Sequence, residues 1–146
     1  MTLKERIIRL IETGGPIPVS TYMQLALHDA SQGYYATRPG LGTDFITAPE
    51  VSQVFGELIG LWVVHEWRTM GAPSDFHLVE IGPGRGTLMA DALRLAYVAG
   101  DREFADAAKL TLVEPSPELR KVQAERLSDY TPSFADTLGN VPAGPM

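Results

Sequence analysis

The stretch FHLVEIGPGRGTLMADALRLAYVA, residues 76–99, constrains this chain more than any other. An apolar run rich in β-formers, Phe76 to Ile81, ends on glycine. Helical spacing then begins with Leu88, Met89, Ala92, Leu93, Leu95 and Ala96. Strand, glycine turn and helix in direct succession make a ligand-binding device. The glycines let the backbone turn sharply and let a ligand touch the main chain, and the helix start presents N–H groups without intrahelical partners. The bland alternative is a tight structural turn. A second buried strand follows at LTLVE, 110–114, and a second helix at SPELRKVQAERLSDY, 116–130, with Ser116 as its cap and Pro117 at its first position. Strand, helix, strand, helix predicts an α/β fold with a parallel sheet, whose ligand sits at the carboxyl ends of the strands.

The spacing narrows the ligand. Gly82, Gly84 and Gly86 form G-x-G-x-G. The dinucleotide fingerprint is G-x-G-x-x-G, so Gly86 comes one residue early and Thr87 holds the place of the third glycine. No Lys-Ser/Thr pair follows, which excludes a Walker loop. Glu80 lies inside the strand, two residues before the first glycine, either as a helix-cap partner or as a ligand contact. Glu114 closes the next strand, where a carboxylate suits both hydroxyls of a ribose; otherwise it is a solvated acid. The separation from Gly82 to Glu114 exceeds the roughly 20 residues of a compact dinucleotide unit. VAGDREFADAAK, 98–109, accounts for the surplus as extra helix or loop.

The first half reads as helices around a loop. Thr2 caps a helix with Leu3, Ile7, Ile8, Leu10 and Ile11 on one face, stopped by Gly14-Gly15-Pro16. Ser20 or Thr21 caps a second helix that Gly33 ends. YYATRPGLGTDFITAPE has turn formers and no helical period, so it predicts an ordered loop. Pro49 then opens a third helix over about 49–70, apolar on most faces and therefore expected to be buried against something large. The tail TPSFADTLGNVPAGPM reads as loop.

Bulk properties set the remaining limits. The 146 residues suffice for one domain with a core. A net charge of −6 without a Lys/Arg cluster argues against a nucleic-acid partner. There is no cysteine, hence no disulfide or thiol chemistry. His28, His65 and His77 show no metal-ligand spacing, and no G-x-S-x-G hydrolase elbow occurs. No apolar stretch is long enough for a membrane span. The N-terminus has neither the h-region of a signal peptide nor the Arg/Ser-rich character of a transit peptide, so the expectation is a cytoplasmic protein.

Three blocks, GYYATR, DFITAPEVSQVFGELIGLW and VEIGPGRGTLMADALR, occur in this order. With the E-x-G-x-G-x-G pattern and the strand-end acid, they resemble the MidA-like family of class I S-adenosylmethionine-dependent methyltransferases. This group includes a mitochondrial complex I assembly-factor arginine methyltransferase. The resemblance covers nearly the whole chain. It implies a Rossmann-like, seven-stranded sheet with added helices. Residues 1–74 would be a helical region with a covering loop, and 75–146 the first βαβα part of the S-adenosylmethionine domain, incomplete and with two clear strands. The chain then reads as the N-terminal part of something longer.

The resemblance also implies methyl transfer from S-adenosylmethionine to a protein arginine, linked to respiratory complex I assembly. Glu80, Gly82, Pro83, Gly84 and Gly86 would line the cofactor, its amino-acid end at the glycine turn, and Glu114 would take its ribose. Asp44, Thr47, Pro49 and Glu50 would form a loop over the cofactor or substrate cleft. Asp44 and Glu50 would face a cationic guanidinium or sulfonium as candidate catalytic groups. Capping of the third helix by Thr47, with Glu50 as its reciprocal partner, explains two of these residues as well. Tyr34 and Tyr35 suit packing better than substrate contact. Two other classes stay open: a non-catalytic remnant that binds a partner or oligomerises through an uncovered sheet edge, and an NAD(P)-binding domain, which the position of Gly86 disfavours.

Overall fold

The computed structural model describes residues 1–37, 46–98 and 102–146. They divide into two compact units, 1–45 and 46–146. The division precedes the 74/75 boundary drawn from the sequence, because the third predicted helix packs within the second unit.

In the first unit, α1 (Leu3–Gly14) starts from a complete capping box: Thr2 Oγ1 accepts from Glu5 N–H, and Glu5 Oε2 accepts from Thr2 N–H at 2.8 Å. Gly15, at φ 82°, ends it. Helix α2 (Val19–His28) begins directly after Pro18 with no side-chain cap, so neither Ser20 nor Thr21 plays that part. The fixed φ of Pro18 already positions the chain for the first turn. Asp29 accepts from the hydroxyl and N–H of Ser31, from Arg6 and from Gln32 N–H, and these donors hold its carboxyl down to about 2. Tyr34–Thr37 form a short helix, α3, where the sequence suggested loop. Tyr35 packs against His28, tilted at a ring distance of 5.6 Å, and edge-on against Tyr34 at 5.4 Å, which is the packing role expected of the tyrosines.

The second unit opens with α4 (Ala48–Val51) and α5 (Gln53–Thr69), then β1 (Phe76–Ile81), α6 (Thr87–Val98), α7 (Arg102–Ala107), β2 (Ala108–Val113), α8 (Pro117–Arg126) and β3 (Ser133–Ala135). The sheet is parallel, in the order β1-β2-β3, with Ile81 opposite Val113 and Val113 opposite Ala135. The α/β reading therefore stands, with three corrections. The tail is not all loop, since Ser133–Ala135 adds a third strand. The predicted helix over 49–70 is two helices, broken at Ser52, whose backbone is extended. That helix is also not buried all round: Val54, Leu58, Leu61 and Trp62 are exposed, while Gly56, Gly60, Val64 and Trp67 are buried. The surplus before β2 is α7. On the outer side of β1, His77 N–H donates to Pro145 O at 2.8 Å.

Gly56 and Gly60 explain which side of α5 is covered. They let its backbone lie directly on α6. A Cβ added at Gly60 would stand 2.5 Å from Ala92 O and 2.7 Å from Ala92 Cα, with only backbone to yield. Gly60→Ala should thus destabilise the fold by about 2 kcal/mol through overpacking, although alanine is the better helix former. Urea denaturation of the two proteins measures the difference. Beneath this contact, Trp67, Phe76 and Phe104 meet at ring distances of 5.3–6.2 Å and join Leu93, Leu110, Leu112 and Leu127 in the core. This core anchors the strands whose ends carry the site.

Candidate functional site

The site is built at the carboxyl ends of the three strands. Gly82 N–H donates to Val113 O at 3.0 Å, so the turn leaves β1 while still tied to β2. Gly82, Gly84 and Gly86 all have left-handed backbones, at φ 66°, 56° and 76°. Three such residues at alternate positions explain the motif: an L side chain at any of them would be strained. Gly86 N–H closes the turn on Pro83 O at 2.8 Å, and Gly86 O accepts from Ala90 N–H in the first turn of α6. Open space lies beside Gly82, where a Cβ would meet nothing within 4 Å. The arrangement is a bare-backbone cradle at a helix N-terminus.

Glu114 follows β2 directly and is buried, at 6% exposure, which removes the solvated-acid alternative. Its Oε1 accepts from Ser116 N–H at 2.8 Å, and its own N–H donates to Ala135 O. Arg120 donates to Glu114 O at 2.6 Å and to Asp136 Oδ1 at 2.6 Å, fastening α8 to the ends of β2 and β3. Third-strand and helix contacts thus hold this acid in one orientation beside the turn.

Glu80 lines a cavity of about 120 Å³ between α5, β1 and α6, with Gly60, Val63, Leu78 and Leu88 among its walls. Its Oε2 is buried and has no hydrogen-bond partner among the described residues, so that oxygen caps no helix there. Burial pushes the carboxyl up to about 7.

The α4 segment reaches the same place. Glu50 Oε1 accepts from Thr87 Oγ1 at 2.8 Å, and Arg126 Nη1 also hydrogen-bonds to Thr87 Oγ1. Thr47 makes no side-chain cap bond. The capping-box reading of Thr47 and Glu50 therefore fails, because the Glu50 carboxylate is drawn to the start of α6 instead. Thr47 precedes α4 and Pro49 lies in its first turn, on the approach to this contact. Asp44 lies outside the described residues.

Three residues of the site were not legible as such. In the sequence Thr87 reads only as the residue occupying a glycine's place. Arg126 and Gln123 sit in a polar helix whose sequence marks none of its members. Yet Gln123 is fully buried, and its Nε2 donates to Gly84 O at 2.6 Å.

Residues 58–142 match the model of a family of S-adenosyl-L-methionine-dependent methyltransferases. The chain belongs to this family. The chain is 49% identical over 128 residues to "Protein arginine methyltransferase NDUFAF7 homolog, mitochondrial" of Drosophila melanogaster, covering 86% of this chain and 28% of that protein. It is 45% identical over 120 residues to the Homo sapiens protein arginine methyltransferase NDUFAF7, covering 81% and 27%. Among solved structures, one from Burkholderia thailandensis bound to S-adenosyl-homocysteine superposes with a TM-score of 0.69 at 27% identity, over 93% of this chain and 37% of that one. The chain thus spans under a third of the curated relatives it matches. The cytoplasmic expectation is corrected: these relatives are mitochondrial by name, and the lack of a leader pattern in the sequence carries no weight against that.

Proposed function

We propose that this methyltransferase chain holds the cofactor of a protein arginine methyltransferase acting in respiratory complex I assembly. The observation that carries the reading is the meeting, at the strand ends, of a left-handed glycine cradle with open space beside Gly82 and a buried, oriented Glu114. The donor set fits S-adenosylmethionine, which supplies a methyl group on an electrophilic sulfonium when bound. Gly82, Pro83, Gly84 and Gly86 let its amino-acid end approach the main chain. Glu114 accepts the ribose hydroxyls, with Ser116 N–H keeping the carboxylate aimed. Glu80 offers its unpartnered oxygen to the cofactor's ammonium. Thr47, Pro49 and Glu50 bring a carboxylate to the start of α6, where it orients a cationic guanidinium. The arginine acceptor is supported by the names of the relatives.

The test uses methyl-labelled S-adenosylmethionine with the full-length protein and a mitochondrial extract. Label recovered as methylated arginine after hydrolysis supports the reading. Label in another residue, in a small molecule, or nowhere overturns it. One observation favours a second reading, a non-catalytic interaction module: the exposed apolar stripe Val54, Leu58, Leu61 and Trp62 on α5. In that case the cradle binds cofactor or not, but no methyl group moves.

A further inference from the structure

We infer that Gln123 is the positioning residue that holds the glycine turn ready for the amino-acid end of the cofactor; this rests on the proposed function. Gln123 lies in the middle of α8 and is completely buried. Its side chain spans two of the three glycines. Its Nε2 donates to Gly84 O at 2.6 Å, while its Cγ would stand 3.7 Å from a Cβ built on Gly86. The other end of the same amide, Oε1, is buried without a partner among the described residues. An idle buried acceptor is unfavourable. A methionine would fill the same space without it. What glutamine adds is one donor aimed at one carbonyl.

That carbonyl sets the direction of a peptide plane. None of the described peptide bonds is cis, and in a trans peptide the C=O and the following N–H point in opposite directions. Drawing Gly84 O toward α8 therefore turns the N–H of Arg85 away from α8. Gly84, on one side of this peptide, carries no Cβ and lets it turn at little cost, whereas Arg85 on the other side resists only a complete flip. Gln123 removes that freedom. The turn is then preorganised, and a ligand carboxylate need not reorder it on binding.

Gln123→Met in the full-length protein tests this, titrated calorimetrically with S-adenosylmethionine and with methylthioadenosine, which has the adenosine part but no amino-acid end. A positioning role predicts that S-adenosylmethionine binds about tenfold more weakly, with methylthioadenosine unchanged. Equal weakening of both ligands means a structural role only and overturns the inference, as does no weakening of either. Wild type that binds methylthioadenosine but not S-adenosylmethionine overturns the proposed function as well as the inference. Wild type that binds neither overturns the proposed function and takes the inference with it. Should Gln123→Met not fold, Gln123→Glu asks the same question at two pH values. Its acid can donate to Gly84 O when protonated and not when ionised. The preference for S-adenosylmethionine over methylthioadenosine must then fall with rising pH more than in wild type; an unchanged pH dependence overturns the inference.

Discussion

Gly84→Val will abolish saturable S-adenosylmethionine binding in a protein that still folds, raising Kd by at least about 100-fold. Gly84 has φ 56°, and a β-branched residue there is a steric outlier costing on the order of 1–3 kcal/mol. The turn relieves that strain by leaving the left-handed region, which swings the Gly84 carbonyl off Gln123 and dismantles the cradle. Phe76, Phe104 and Leu112, which anchor the core, lie outside the turn, so the fold is expected to survive. Calorimetric titration beside the wild type measures the binding loss, and circular dichroism confirms the fold. Gly82→Ala provides the graded comparison. It meets no atom within 4 Å, so only its φ of 66° counts, and its loss should be smaller. Wild-type affinity in Gly84→Val would mean that the ligand does not use this turn.

The turn could be read from the sequence because its cause is local. Three alternate glycines after an apolar run permit a left-handed backbone at each position, and Glu114 follows from the strand it ends. Other features have causes far along the chain. Ser133–Ala135 is too short for an alternation to show, and it becomes a strand only because β2 offers an edge. The break at Ser52 carries no proline or glycine to mark it. Apolar residues around α5 suggested general burial, yet its two glycines decide which face can lie on α6, and the larger side chains remain outside. Gln123 and Arg126 illustrate the limit. Both are polar residues on a polar helix, and only the folded chain brings them to Gly84 and Thr87.

Glu80 gives the second large effect, and its sign follows from its surroundings. Its carboxyl is raised from 4.5 to about 7 by burial beside an apolar cavity. Between these values the native chain keeps a proton that the unfolded chain has released. Stability from this group is therefore complete below about pH 4.5 and is lost as pH rises through 7, by up to about 3 kcal/mol. Glu80→Gln is neutral at every pH. It should flatten this slope and exceed the wild type in stability by about 2 kcal/mol at pH 8, as read by urea denaturation at pH 5, 6, 7 and 8. A wild-type slope that persists in the variant would place its origin elsewhere. The same proton reports on the cofactor. An ammonium brought to the unpartnered Oε2 favours the ionised carboxylate, so binding near pH 6 should release close to one proton per site. The calorimetric heat would then vary with the ionisation enthalpy of the buffer, and the variation would vanish in Glu80→Gln. Heat independent of buffer in the wild type would confine Glu80 to the stability of the α5–β1–α6 layer and remove it from the cofactor's contacts.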